Sequence, residues 1–195
     1  MAKLHVIYIP GIGDDSLGQG KIVRTWRWWR VESELFSMHW SDKQPWDTKF
    51  KELLERIDAL ANEGKLVGLV GASAGASAVI NAFAERPTVV GVVCIAGMID
   101  QPDTIVRHFR QNNPSFVESA YRCQEALRKL SASRRQQILS RYALIDEVIR
   151  KEYSQISGAR NRRSPSIGHF LTITTQITFG APSFLRFLKK QADTL

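Results

Sequence analysis

Gly71-Ala72-Ser73-Ala74-Gly75 sets one serine among the two smallest residue types. The apolar run 66–70 before it reads as a strand, and the Ala-rich run 74–85 after it reads as a helix. A G-x-S-x-G pattern at a strand-to-helix turn suits a nucleophile. The strained turn lifts the Ser73 hydroxyl clear of a sheet, and only small neighbours leave room for it. The same turn aims a helix N-terminus at the reacting centre, where negative charge develops. The other Gly-rich turn, Gly11-Ile12-Gly13, does not read as a phosphate loop. Leu17 stands where a third glycine is needed, and Asp14-Asp15 would repel a pyrophosphate.

A serine hydroxyl is a weak nucleophile at neutral pH and needs an adjacent base. His5 starts the first strand, His39 sits at the end of the second, and His108 falls in the stretch 99–136. His169, in Ser166-Ile167-Gly168-His169-Phe170, lies past a late strand, where a base serving this kind of turn belongs. The orienting acid should lie between serine and histidine, just after a strand. Asp146, in Leu144-Ile145-Asp146-Glu147-Val148-Ile149, fits best; adjacent Glu147 and the earlier Asp100 are its competitors. Its role would be to accept the Nδ1 proton of His169 and stabilise the imidazolium. An oxyanion needs two backbone donors, expected from the amides of Ala74 and of Ile12 in Pro10-Gly11-Ile12-Gly13. Asp14 and Asp15 are expected to cap the next helix.

Apolar strands are expected at Leu4–Ile9, 34–40, 66–70, 88–96 and 137–144, with a weaker one at 162–167, where Pro165 suits an edge. Helical patterns fall at 47–62, 74–85, 116–130 and from Pro182 to about Lys190. This alternation predicts an α/β fold: a mostly parallel sheet of about six strands with helices on both faces. The stretch 99–136 has room for one or two helices and not for a large cap domain. At 195 residues the chain is expected to be one domain spanning 1–195.

Composition excludes several classes. A hydrophobic fraction of 44% argues against disorder. Cys94 and Cys123 form neither a disulfide framework nor a metal-spaced cluster, so no metal and no organic cofactor are expected. The longest apolar stretch, 89–99, is too short for a transmembrane segment, and no leader pattern opens the chain, which points to a cytoplasmic protein. The net charge of +8 is spread along the chain and reads as a solvated basic surface. Nucleic acid is therefore disfavoured as a partner, although Trp26-Arg27-Trp28-Trp29-Arg30 interleaves aromatics with cations. That segment is expected to be an amphipathic helix packing Trp26 and Trp29.

The elbow at Ser73, the segment from Ile145-Asp146-Glu147 through Gly158-Ala159-Arg160-Asn161 to Gly168-His169, and the loop at Gly11 together resemble the α/β-hydrolase superfamily. The likeness is to its small lidless serine esterases and lipases, and runs from Val6 to about His169. Pro10-Gly11 replaces the His-Gly common in the oxyanion loop but keeps the backbone donor. Ala72 and Ala76 stand where many lipases have His and Gly, which weakens the case for a lipase as such. The resemblance implies hydrolysis of a small-molecule ester or thioester through an acyl-enzyme. One rival is a catalytically silent binding protein of the same fold; another is a basic nucleic-acid-binding protein.

Overall fold

The computed structural model describes residues 3–14, 18–100, 102–103 and 109–194. Among these, six strands form one sheet: β1 (Leu4–Ile9), β2 (Glu32–Leu35), β3 (Leu66–Ala72), β4 (Val89–Ile95), β5 (Ile138–Tyr142) and β6 (Arg160–Arg163). Their spatial order is β2-β1-β3-β4-β5-β6, and every pairing is parallel. Parallel neighbours require crossovers, and the helices supply them: α1 (Gln19–Arg24), α2 (Trp46–Asn62), α3 (Ala74–Glu85), α4 (Pro114–Lys129), α5 (Ala132–Arg135), α6 (Lys151–Ser154), α7 (His169–Ile177) and α8 (Ala181–Ala192).

Side-chain alternation divides the interior into two cores, one on each face of the sheet. From β1, Ile7 and Ile9 join the core under α2, α3 and α4, where Leu53, Ile57, Phe83 and Phe116 meet them. Leu4, Val6 and Tyr8 join the opposite core with Val23, Trp26, Ile177, Phe184 and Leu188. In β4 the parity slips once: Val67 pairs with Val89 but Gly68 pairs with Gly91. The extra residue makes a bulge. Val89 and Val92 consequently share one core, and Val90 and Val93 share the other.

The second strand is shorter than the expected 34–40. Phe36 still donates its amide to the Tyr8 carbonyl at 2.9 Å, but His39 has φ 47 and the chain turns away. The Asp14 carboxylate causes the departure. It accepts from Ser37 Oγ at 2.7 Å and from the His39 and Trp40 amides at 3.2 Å each. Asp14 therefore does not cap α1, whose N-cap is Gly18 with no side-chain bond. Asp15 and His108 lie outside the described residues, as do 101 and 104–108 of the stretch considered for a cap.

Thr25–Trp29 is a 3-10 turn instead of the expected amphipathic helix. Trp26 is fully buried, donates Nε1–H to the Ile177 carbonyl at 2.9 Å and stands edge-on to Phe184. Its neighbour Trp28 faces solvent. The edge strand closes at Arg163, before Pro165, which has no amide proton to offer a ladder. Helix α7 is absent from the expected helices, although Ile173 and Ile177, four residues apart, lie on its buried face. No helix among the described residues is long and apolar enough to cross a membrane.

Candidate active site

The chain leaves β1 toward β2 on one side and returns to β3 on the other. At such a switch point the loops after the strands diverge and leave a crevice at the carboxyl end of the sheet. Ser73 follows β3 there, with φ 51 and ψ −118, a conformation side chains rarely adopt. Packing enforces it. A Cβ on Gly75 would fall 2.1 Å from the Ile9 carbonyl oxygen, so the start of α3 lies directly on the end of β1. A Cβ on Gly11 would fall 2.9 Å from Ser73 Cβ and 3.4 Å from Ser73 Oγ, so the loop after β1 lies against the nucleophile candidate. The Ser73 amide is anchored across the sheet to the Ile95 carbonyl at 2.9 Å.

That loop is braced from behind. Trp40 donates Nε1–H to the Pro10 carbonyl at 3.2 Å, and Asp14 grips residues 37–40 as described. Ile12 is half-buried against the first core. Ala74 is the first residue of α3, where an amide has no partner within its own helix. The Ile12 amide lies in the loop after β1 that packs on Ser73, and the Ala74 amide opens α3 directly after it.

His169 and Asp146 approach from the β6 side, at the same carboxyl end of the sheet. Past β5 and β6 the two chains stay paired: Leu144 donates to Ser166 at 3.0 Å and Gly168 to Ile145 at 2.8 Å, with a bridge between Ile145 and Ile167. Gly168, at φ 94, turns the chain into α7, so His169 is the first helical residue. Its Nε2 lies 3.0 Å from Ser73 Oγ, and its Nδ1 lies 2.9 Å and 3.2 Å from the two Asp146 oxygens. With the ring proton on Nδ1, His169 donates to Asp146 and accepts from the Ser73 hydroxyl.

The Asp146 carboxylate also accepts from the Val148 amide at 2.9 Å and the Ile149 amide at 2.8 Å. Burial opposes its ionisation, but the bond from His169 and these amides outweigh burial and hold its pKa below the usual carboxylate range. A dry, fixed carboxylate of this kind orients an imidazole.

The competing acids are turned to other work. Asp100 accepts from Gln124 at 3.4 Å and lines a separate cavity beside Arg128 and Ser157. Glu147 accepts the backbone amide of His169 with both oxygens, at 3.0 Å and 3.1 Å. Sequence reasoning missed this contact, because nothing local links residues 22 apart. His5 is buried in β1 beside Glu32 and Glu34, and His39 lies in the loop after β2.

A rim of exposed apolar residues surrounds the histidine. Among the described residues eight large hydrophobics are exposed, and six of them, Leu144, Ile145, Val148, Ile167, Phe170 and Leu171, flank Asp146 or His169. In the sequence these apolar residues cluster around the acid and the histidine, at 144–148 and 167–171.

No family model and no curated protein sequence matches the chain. Solved structures do match. Est1E from Butyrivibrio proteoclasticus aligns with a TM-score of 0.71 at 14% identity, covering 98% of this chain and 89% of that one. The α/β hydrolase GrgF from Penicillium sp. sh18 gives 0.71 at 12%, covering 97% and 91%. A monoacylglycerol lipase from Paleococcus ferrophilus gives 0.63 at 15%, covering 98% and 97%. The protein has the α/β-hydrolase fold, and Ser73 lies at the carboxyl end of its sheet.

Proposed function

We propose that the protein is a serine hydrolase that cleaves carboxylic esters or thioesters through an acyl-enzyme. The supporting observation is the unbroken chain Ser73 Oγ to His169 Nε2 at 3.0 Å and His169 Nδ1 to Asp146 at 2.9 Å. His169 takes the Ser73 proton as Oγ attacks the carbonyl carbon. Asp146 holds the ring and stabilises the imidazolium. The amides of Ile12 and Ala74 bind the oxyanion, helped by the N-terminal end of α3. The imidazolium then protonates the leaving group. His169 next draws a proton from water as it attacks the acyl-Ser73 ester, and returns that proton to Ser73 Oγ as the acyl–oxygen bond breaks and the acid leaves.

The apolar rim favours a substrate with an apolar acyl or aryl group over a charged one. The reading takes residues 1–195 as one hydrolase domain. Two buried free thiols, Cys94 and Cys123, suit a reducing compartment such as the cytoplasm.

A fluorophosphonate probe tests the reading directly. Intact mass should show one adduct on the wild type and none on Ser73→Ala. An unreactive wild type would instead favour a silent binding protein of this fold. A panel of p-nitrophenyl esters should then show kcat/KM rising with acyl length as the rim is covered.

A further inference from the structure

A second concentration of chemistry lies at the β6 edge of the sheet. Strand alternation turns Arg160 and Arg162 to one side and Asn161 and Arg163 to the other. On α8, Ser183, Arg186 and Lys190 are spaced by three and four residues and share a face. With Arg141 of β5 these residues line a cavity of about 230 Å³, beside Leu139 and Phe187. Five cations therefore meet around one hollow that no carboxylate lines.

Arg141 is the most constrained of them. It donates to Gln176 Oε1 and to Ser183 Oγ at 2.6 Å each, while its buried Nε–H has no partner. Burial, and then the charge of Arg162, pull its pKa below the usual guanidinium range. Arg160 lies over the Phe187 ring, 5.5 Å from its centroid.

Charged side chains on an edge strand commonly prevent edge-to-edge aggregation. That role accounts for Arg163 as well as for Arg160 and Arg162. It leaves unexplained why a half-buried Arg141 and two cations from a different element converge on the same side. Like charges crowded together repel, and a bound anion turns the repulsion into attraction.

We propose that this cavity binds a phosphate-bearing anion, a phosphoryl or diphosphoryl group carrying two or more negative charges. Planar guanidinium forks match phosphate oxygens bidentately, and Arg141 is held in place by Gln176 and Ser183 before any ligand arrives. The site is independent of the serine chemistry, so it stands or falls separately from the hydrolase reading.

Isothermal titration of the full chain with inorganic pyrophosphate, at about 0.15 M salt to screen diffuse attraction, tests it. A parallel arm measures sedimentation with phosphatidylcholine vesicles containing phosphatidic acid. Saturable one-site binding of pyrophosphate identifies a free phosphate ligand, and binding of the vesicles alone identifies a lipid headgroup. In whichever arm binds, Arg162→Ala and Arg186→Ala should each weaken binding by about tenfold, the worth of one charged hydrogen-bond partner. Both side chains are exposed, so both variants should melt like the wild type. Arg163→Ala, on the other side of the strand, should change nothing. Absence of binding in both arms overturns the site, as does an equal loss in Arg163→Ala, which would mean diffuse surface charge.

Discussion

Ser73 and His169 stand 3.0 Å apart but are held by opposite means. The serine side is closed: small residues, a left-handed φ and backbone packed on backbone between β1 and α3. The acid–histidine side is open. It is built from two loops paired by a few backbone bonds, and its neighbouring apolar side chains face solvent. Steric exclusion fixes the proposed nucleophile, and hydrogen bonds that can open fix the proposed base. The first half should therefore respond to added volume and the second to lost polar partners.

The largest expected effect is on the open side. Asp146→Asn leaves shape intact but stabilises the wrong imidazole tautomer. A loss on the order of 10⁴-fold in kcat is expected from the comparable change in a serine protease, with little change in KM. Asp100→Asn should stay within about tenfold, because its carboxylate is engaged with Gln124 and not with His169. Measuring kcat for both on one activated ester decides the acid; a crippled Asp100→Asn would reverse the assignment. Asp146 also gives a sign for stability. Its folded pKa is depressed, so it contributes stability above its unfolded pKa, and that stability is lost as pH falls toward the folded value. Asp146→Asn should flatten that part of an acid titration of Tm.

The closed side should break by volume. Gly75→Ala places a methyl 2.1 Å from the Ile9 carbonyl oxygen, a backbone atom that cannot swing aside. A stability loss of about 3 kcal/mol is expected, at the upper end for overpacking, read from urea unfolding. Gly168→Ala makes the contrast. No atom lies within 3.6 Å of its added Cβ, but φ 94 strains it. It should lower kcat by displacing His169 while changing global stability less than Gly75→Ala does.

This division also explains what the sequence revealed. The elbow is a local device, so its strand, serine and helix could be read directly, and α3 runs over 74–85 as expected. The strand alternation that sorts Ile7 from Tyr8 is equally local. Asp146 and His169 could be named because each follows a strand, but not the way they are supported. Asp14 reaching residues 37–40, Trp40 holding Pro10 and Glu147 holding the His169 amide all join positions 22 or more apart. Such contacts leave no period and no spacing. The shortened β2 follows from the same cause: alternation continued through residue 40, but the Asp14 carboxylate took the amides that a strand would have used.

Glu147 offers the finest test of the contrast, with the smallest effect. It sits next to Asp146, so one dipeptide holds His169 at two points: Asp146 by the ring, Glu147 by the backbone amide. Its carboxylate also faces the N-terminal end of α7, where negative charge is favoured by about 0.3–1 kcal/mol. Glu147→Gln keeps an acceptor oxygen for the amide but removes the charge. Glu147→Ala removes both. If Glu147 positions His169, kcat should be nearly unchanged in Gln and fall severalfold, within about tenfold, in Ala. A merely structural Glu147 would shift Tm in both and produce no such difference in kcat between the two variants. That outcome would reduce the open side to a single fixed point at Asp146.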